Sequence, residues 1–193
     1  MGEFDEALRE LDQASKLERP TGTPPAMRPT ILMAARRYEL AIRDLREILA
    51  SDPTNAEARA SLGRCYLETG EREKALQELR AAVQAAPANS ACLASLGYAC
   101  GVLGQRREAL EQLQALDALP AKQAAVPMAR AAIHVGLGQT NEALTILEQA
   151  VTERDSYQQR GAELFGLKVD PSYDRLRGDP RFQKLLKKLG LDK

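Results

Sequence analysis

The sequence predicts an all-α chain in which antiparallel helix pairs stack into a solenoid that ends in a capping helix. Three observations predict it. A unit of 34 residues recurs in register along the chain, glycines punctuate that unit at fixed positions, and Ala and Leu dominate the 44% apolar fraction. Ala, Leu, Glu and Arg are good helix formers, whereas aromatics are 4% with no Trp, too few to line a large aromatic ligand pocket.

The register is read from Ala7, Ala41, Ala75, Ala109 and Ala143, each 34 residues after the last. The next residue is Leu8, Ile42, Leu76, Leu110 or Leu144, and four residues after each Ala stands Leu11, Leu45, Leu79, Leu113 or Leu147. These columns hold without insertion or deletion, the signature of a repeat architecture. Upstream, Gly70, Gly104 and Gly138 share a position with Gly2, and Arg36 breaks that column. Gly63 and Gly97 share another with Ala131.

The columns divide the chain into a half repeat at 1–21, a degenerate repeat at 22–55, repeats at 56–89 and 90–123, a degenerate repeat at 124–157 and a capping segment at 158–193. In the best copy, residues 56–69 form one helix and Gly70 ends it, since Gly accepts the left-handed conformation of a C-terminal cap. Residues 72–85 form a second helix, and Pro87 follows where a helix cannot continue. Leu76, Leu79 and Val83 give a stripe that one hairpin cannot bury and stacked hairpins can. Small residues at Gly63, Gly97, Ala75 and Ala109 allow close approach of helices. In the copy from Gly22, Pro24, Pro25 and Pro29 shorten the first helix to about 29–36, and the second runs over 38–50.

The unit 56–89 resembles the tetratricopeptide repeat on Leu62-Gly63, Tyr66, Ala75, Leu79, Ala82 and Pro87, with Arg59 in place of the usual Trp. The resemblance implies a right-handed superhelix whose first helices line a concave groove for a protein or peptide partner. By register the groove presents Glu57, Ala60, Ser61, Arg64 and Glu68, then Ala94, Tyr98 and Val102, then Met128 and Ala132. Arg64 and Tyr98 are the strongest anchor candidates by residue type. Receptors of this fold that clamp a chaperone tail use Lys and Asn where this chain has Ala60 and Arg64, which argues against that specialisation.

The ends differ from the middle. Residues 3–18 read as a second helix with no first helix before it, so the register suggests the tail of a longer protein, or an end covered by another chain, including a second copy. At the other end Asp179 caps a helix with Pro180 in its first turn, and Phe182, Leu185, Leu186 and Leu189 form one apolar face before Gly190. Residues 34–191, with Arg37-Tyr38 and 167–186 the most telling pieces, also resemble the C-terminal repeat region of bacterial multidomain regulators with winged-helix, cyclase or kinase domains. That likeness implies a sensory or regulatory arm, able to self-associate, as an alternative to a scaffold.

Charge and chemistry narrow the function. Lys plus Arg equals Asp plus Glu at 27 each, so no basic excess points to nucleic acid. The cluster Lys184, Lys187 and Lys188 suits a helix C-terminus. No run of 18 apolar residues suggests a membrane helix, and Met1-Gly2-Glu3-Phe4 does not read as a signal peptide, so a cytoplasmic setting is expected. His134 is the single histidine and falls in the packing column of Tyr66 and Cys100. Cys65, Cys92 and Cys100 lack metal or redox spacing and read as small buried hydrophobes. Residues 97–101 (Gly-Tyr-Ala-Cys-Gly) lie within a helix and lack the ending of a phosphate loop. The expectation is a binding protein, not an enzyme, with no cofactor and no metal.

Overall fold

A computed structural model describes residues 4–10, 27–119, 126–155 and 162–192. Parts of the expected half-repeat helix, with Leu11, and the segments holding Pro24, Pro25 and Ala124 lie outside them. Among the described residues every regular element is helical. The chain forms two compact units, Met1–Pro87 and Ala88–Lys193.

The first unit holds residues 4–10 of α1, α2 (Met27–Ala34), α3 (Tyr38–Ser51), α4 (Ala56–Glu68) and α5 (Arg72–Ala85). Short turns force α2 and α3, and α4 and α5, into antiparallel pairs, and α3 packs on α4. Their core joins Leu32, Ala41, Leu45, Leu62, Cys65, Tyr66 and Ala75. The expected span of α5 is observed residue for residue. Helix α2 begins and ends two residues earlier than expected, because Arg36 leaves the helix in the left-handed conformation, with φ 61°. Pro29 is buried near the start of α2, among the positions whose amides have no partner within a helix.

The second unit holds α6 (Ser90–Val102), α7 (Arg106–Asp117), α8 (Val126–Gly136), α9 (Thr140–Asp155), α10 (Ala162–Val169), a 3-10 turn (Pro171–Leu176) and α11 (Pro180–Lys188). Helix α6 packs on α7 and on α8, and α8 packs on α9. Within each unit helix pair therefore lies on helix pair, as a repeat fold requires.

The periodic columns are the interior. Ala41, Ala75, Ala109 and Ala143 are all at 0% exposure, although Ala7 is only half-buried. Leu79 and Leu147 are equally closed off, but Leu110 departs from its column and is exposed. The glycines set how near the helices come. A Cβ on Gly63 would stand 2.6 Å from Leu79 Cγ, and one on Gly136 would stand 2.5 Å from the backbone oxygen of Tyr98.

The capping segment keeps more of the register than expected. Leu167 falls in the column of Cys65, Ala99 and Ile133, and all four are at 0% exposure. Asp170 and Asp179 cap the 3-10 turn and α11 through bonds accepted from the amides of Ser172 and Arg181. Phe182, Leu185 and Leu186 are buried, Tyr173 stacks on Phe182 at 6.4 Å, and the Tyr173 hydroxyl donates to the carbonyl of Met128 at 2.9 Å.

Candidate partner-binding surface

The first helices start alike. Asn55 and Asn89, 34 residues apart, each cap their helix with the side-chain oxygen, which accepts from Ala58 N at 2.9 Å and from Ala91 N and Cys92 N at 2.9 and 3.1 Å. Each cap satisfies amides that would otherwise lack a partner and so fixes where the helix starts.

In the first unit, α4 buries Ala58, Leu62, Cys65 and Tyr66. Glu57, Ser61, Arg64 and Glu68 recur at helical spacing on another face. Glu57 and Glu68 are exposed, Ser61 and Arg64 are half-buried, and Ala60 is buried. This face sets two carboxylates around one guanidinium.

In the second unit, Ala94, Val102 and Met128 are half-buried on α6 and α8, which pack together. Tyr98 is 8% exposed and Ala132 is buried, so most of the Tyr98 side chain belongs to the interior. Met128 carries the carbonyl that receives the Tyr173 hydroxyl, which ties one edge of this face to the capping segment.

Several polar contacts were not visible in the sequence. Asp44 is 1% exposed and pairs with Arg28 across the α2/α3 hairpin. One period later Glu78 Oε2 accepts from Arg59 Nη1 at 2.8 Å, while Arg59 Nη2 donates to the Pro53 carbonyl at 3.0 Å. Arg59, in the place of the usual Trp, thus ties the α4/α5 hairpin by charge where an aromatic would do so by packing. The hydroxyl of Tyr66 accepts from Arg46 Nη2 at 2.7 Å, and Lys74 Nζ lies 5.5 Å from the ring centroid.

The histidine and the cysteines are engaged in structure. His134 is half-buried, and its Nδ1 donates to Gln139 Oε1 at 2.8 Å; Cys100, one period earlier, donates from Sγ to Gln105 Oε1 at 3.7 Å. All three cysteines are buried, and burial pushes the Cys65 thiol up to about 12. Gly97 and its neighbours lie inside α6 as expected. Among the described residues no group of three His, Cys, Asp or Glu side chains is placed to hold a metal ion, and no helix is long and apolar enough to cross a membrane.

Residues 32–97, from α2 into α6, match the model of the tetratricopeptide repeat family. No curated protein matches the chain in sequence. Among solved structures, a thermophilic TPR protein of Thermus thermophilus is similar at a TM-score of 0.63 and 21% identity, covering 96% of this chain and 92% of that one. MamA is similar at 0.54 and 20% identity, covering 81% and 91%. YrrB, a TPR protein with an unusual peptide-binding site, is similar at 0.50 and 21% identity, covering 94% and 91%. At such identities the likeness is one of fold.

Proposed function

We propose that this chain, whose repeats are tetratricopeptide repeats, is a protein-interaction scaffold that takes a peptide or helix of a partner on the outward faces of its first helices. The observation that carries this reading is the division of α4 into two faces. One is buried at Ala58, Leu62 and Cys65, and the other keeps Glu57, Arg64 and Glu68 at least partly in solvent. Charged residues at a binding rim select the partner and its register more than they add affinity. Within the second unit, Ala94, Val102 and Met128 on α6 and α8 form a half-buried apolar face of their own, to which the edge of Tyr98 contributes. A repeat fold supports such a role without naming the partner, because folds of this kind host many functions.

A binding role also accounts for the chemistry above. The single histidine is held by Gln139, and the thiols are buried. The test is Arg64→Glu with a partner recovered by affinity capture from native cells. The variant should bind that partner about tenfold more weakly, with an unchanged melt, as expected for reversal of a single rim charge. Unchanged affinity would remove α4 from the binding surface.

A further inference from the structure

Helix α2 is apolar on both sides. At roughly 100° per residue, Pro29, Leu32 and Met33 fall on one side, and all three are buried. Met27, Ile31 and Ala34 fall on the opposite side, where Met27 is 65% exposed and the other two are half-buried. Thr30 joins them, and a threonine hydroxyl can be satisfied within its own helix. Two apolar sides of similar size leave the rotation of a helix weakly determined by burial alone. The turn into α3 does not determine it either. That turn holds Arg36 at φ 61°, a costly conformation for a residue with a side chain, so a seating that relaxed Arg36 would recover the cost. Helix α4 differs, because its outward side carries the exposed carboxylates of Glu57 and Glu68.

Arg28 is the one charged residue of α2. It lies one turn before Leu32, hence on the buried side, and pairs with Asp44 of α3, which is 1% exposed. Among the described residues the other cation at that carboxylate is Arg43, 3.4 Å from Oδ1 and 59% exposed. We infer that the Arg28–Asp44 pair is a rotational latch, which selects the apolar side of α2 that turns inward by penalising the alternative. Rotating α2 by about half a turn would seat Met27, Ile31 and Ala34 in place of Leu32 and Met33, and would carry Arg28 to the outer side. Asp44 would stay buried with Arg43 at its edge. Removing one partner of a buried ion pair is strongly destabilising, whereas the complete pair adds little net stability over an apolar pair of similar shape. The pair therefore supplies selection more than strength.

Thiol labelling reads the rotation, since the cysteines of the chain are themselves buried. Single probes Met27→Cys and Met33→Cys are placed in the full chain, with and without the double substitution Arg28→Met, Asp44→Leu. In the parent, position 27 should label at once and position 33 only as the protein opens. The double variant should keep a cooperative melt. In it, position 33 should label about tenfold faster or more and position 27 about twofold slower, as two comparably populated seatings require. Cys65, at 0% exposure, reports general opening and should stay protected. The inference is overturned if position 33 stays as protected as in the parent, or if it and Cys65 quicken together. Undiminished labelling at position 27 would overturn it too, because α2 would then detach and not turn. So would loss of the cooperative melt in the double variant, which would make the pair a source of stability and not of selection.

Discussion

The amide of Arg37 donates to the carbonyl of Leu32 at 2.8 Å, the bond that Glu71 makes to Tyr66, Gln105 to Cys100 and Gln139 to His134 at the same 2.8 Å. It closes the same helix-ending motif in each repeat. In three of these the residue between is Gly70, Gly104 or Gly138, at φ 84°, 77° and 74°; in the first it is Arg36, at φ 61°. Arg36 thus adopts the glycine conformation without being glycine.

A left-handed conformation costs an L-residue roughly 1–2 kcal/mol, and the greater freedom of glycine in the unfolded chain returns about half of that. Arg36→Gly should therefore stabilise the protein by about 0.5–1 kcal/mol in urea denaturation. Gly70→Ala should cost about 1 kcal/mol, although nothing stands within 4 Å of the added Cβ. A destabilised Arg36→Gly protein would show that the side chain, whose Nη1 lies 3.2 Å from the Tyr38 hydroxyl, matters more than the backbone.

Gly136 meets a different limit. Its Cβ would collide with the backbone of Tyr98, which cannot swing aside as a side chain can. Alanine is the better helix former by about 1 kcal/mol, yet Gly136→Ala should lower stability by about 1–3 kcal/mol, because the steric term wins where α6 meets α8. Unchanged or increased stability would mean that the two helices separate at little cost.

Leu79 is at 0% exposure and lies against Gly63. Leu79→Ala should cost about 2–5 kcal/mol by opening a cavity. A loss under about 0.5 kcal/mol would place Leu79 outside the core.

The Cys65 thiol rises from 9.0 to about 12, chiefly through burial. A raised folded-state pKa gives stability that is complete below the unfolded value and lost as pH rises towards the folded one. Stability should thus fall between about pH 9 and 12, and less steeply in Cys65→Ala. At pH 8 a thiol reagent should modify Cys65 only as fast as the protein opens. Rapid native-state labelling at Cys65 would contradict its burial.

How much of this was legible varies by element. The span of α5 could be read because Gly70 and Pro87 bracket it and the Ala75 and Leu79 columns repeat. The early end of α2 could not, because a broken glycine column does not say whether its substitute still turns left-handed. The fourth buried member of the Cys65 column, Leu167, was hidden by the Asp-Pro pairs that follow it, which read as a departure from the repeat. On the surface, register placed Glu57, Arg64 and Glu68 on one face of α4. It could not show that Ala60 and Tyr98 turn inward, since one helical position differs in exposure according to what packs beside it. Nor could it show Asp44 meeting Arg28 or Arg181 meeting Glu148, because long flexible side chains choose partners only after the backbone is placed.

The first-helix face is most directly tested by site-specific photo-cross-linking. A photoreactive amino acid is placed at Glu57 or Glu68 on α4, or at exposed Gln77 on α5 as the control, and the adducts are mapped by mass spectrometry. Positions 57 and 68 should trap one and the same segment of one partner, and position 77 should not. Adducts that form equally from all three positions, or only from position 77, would contradict a partner-binding face on α4.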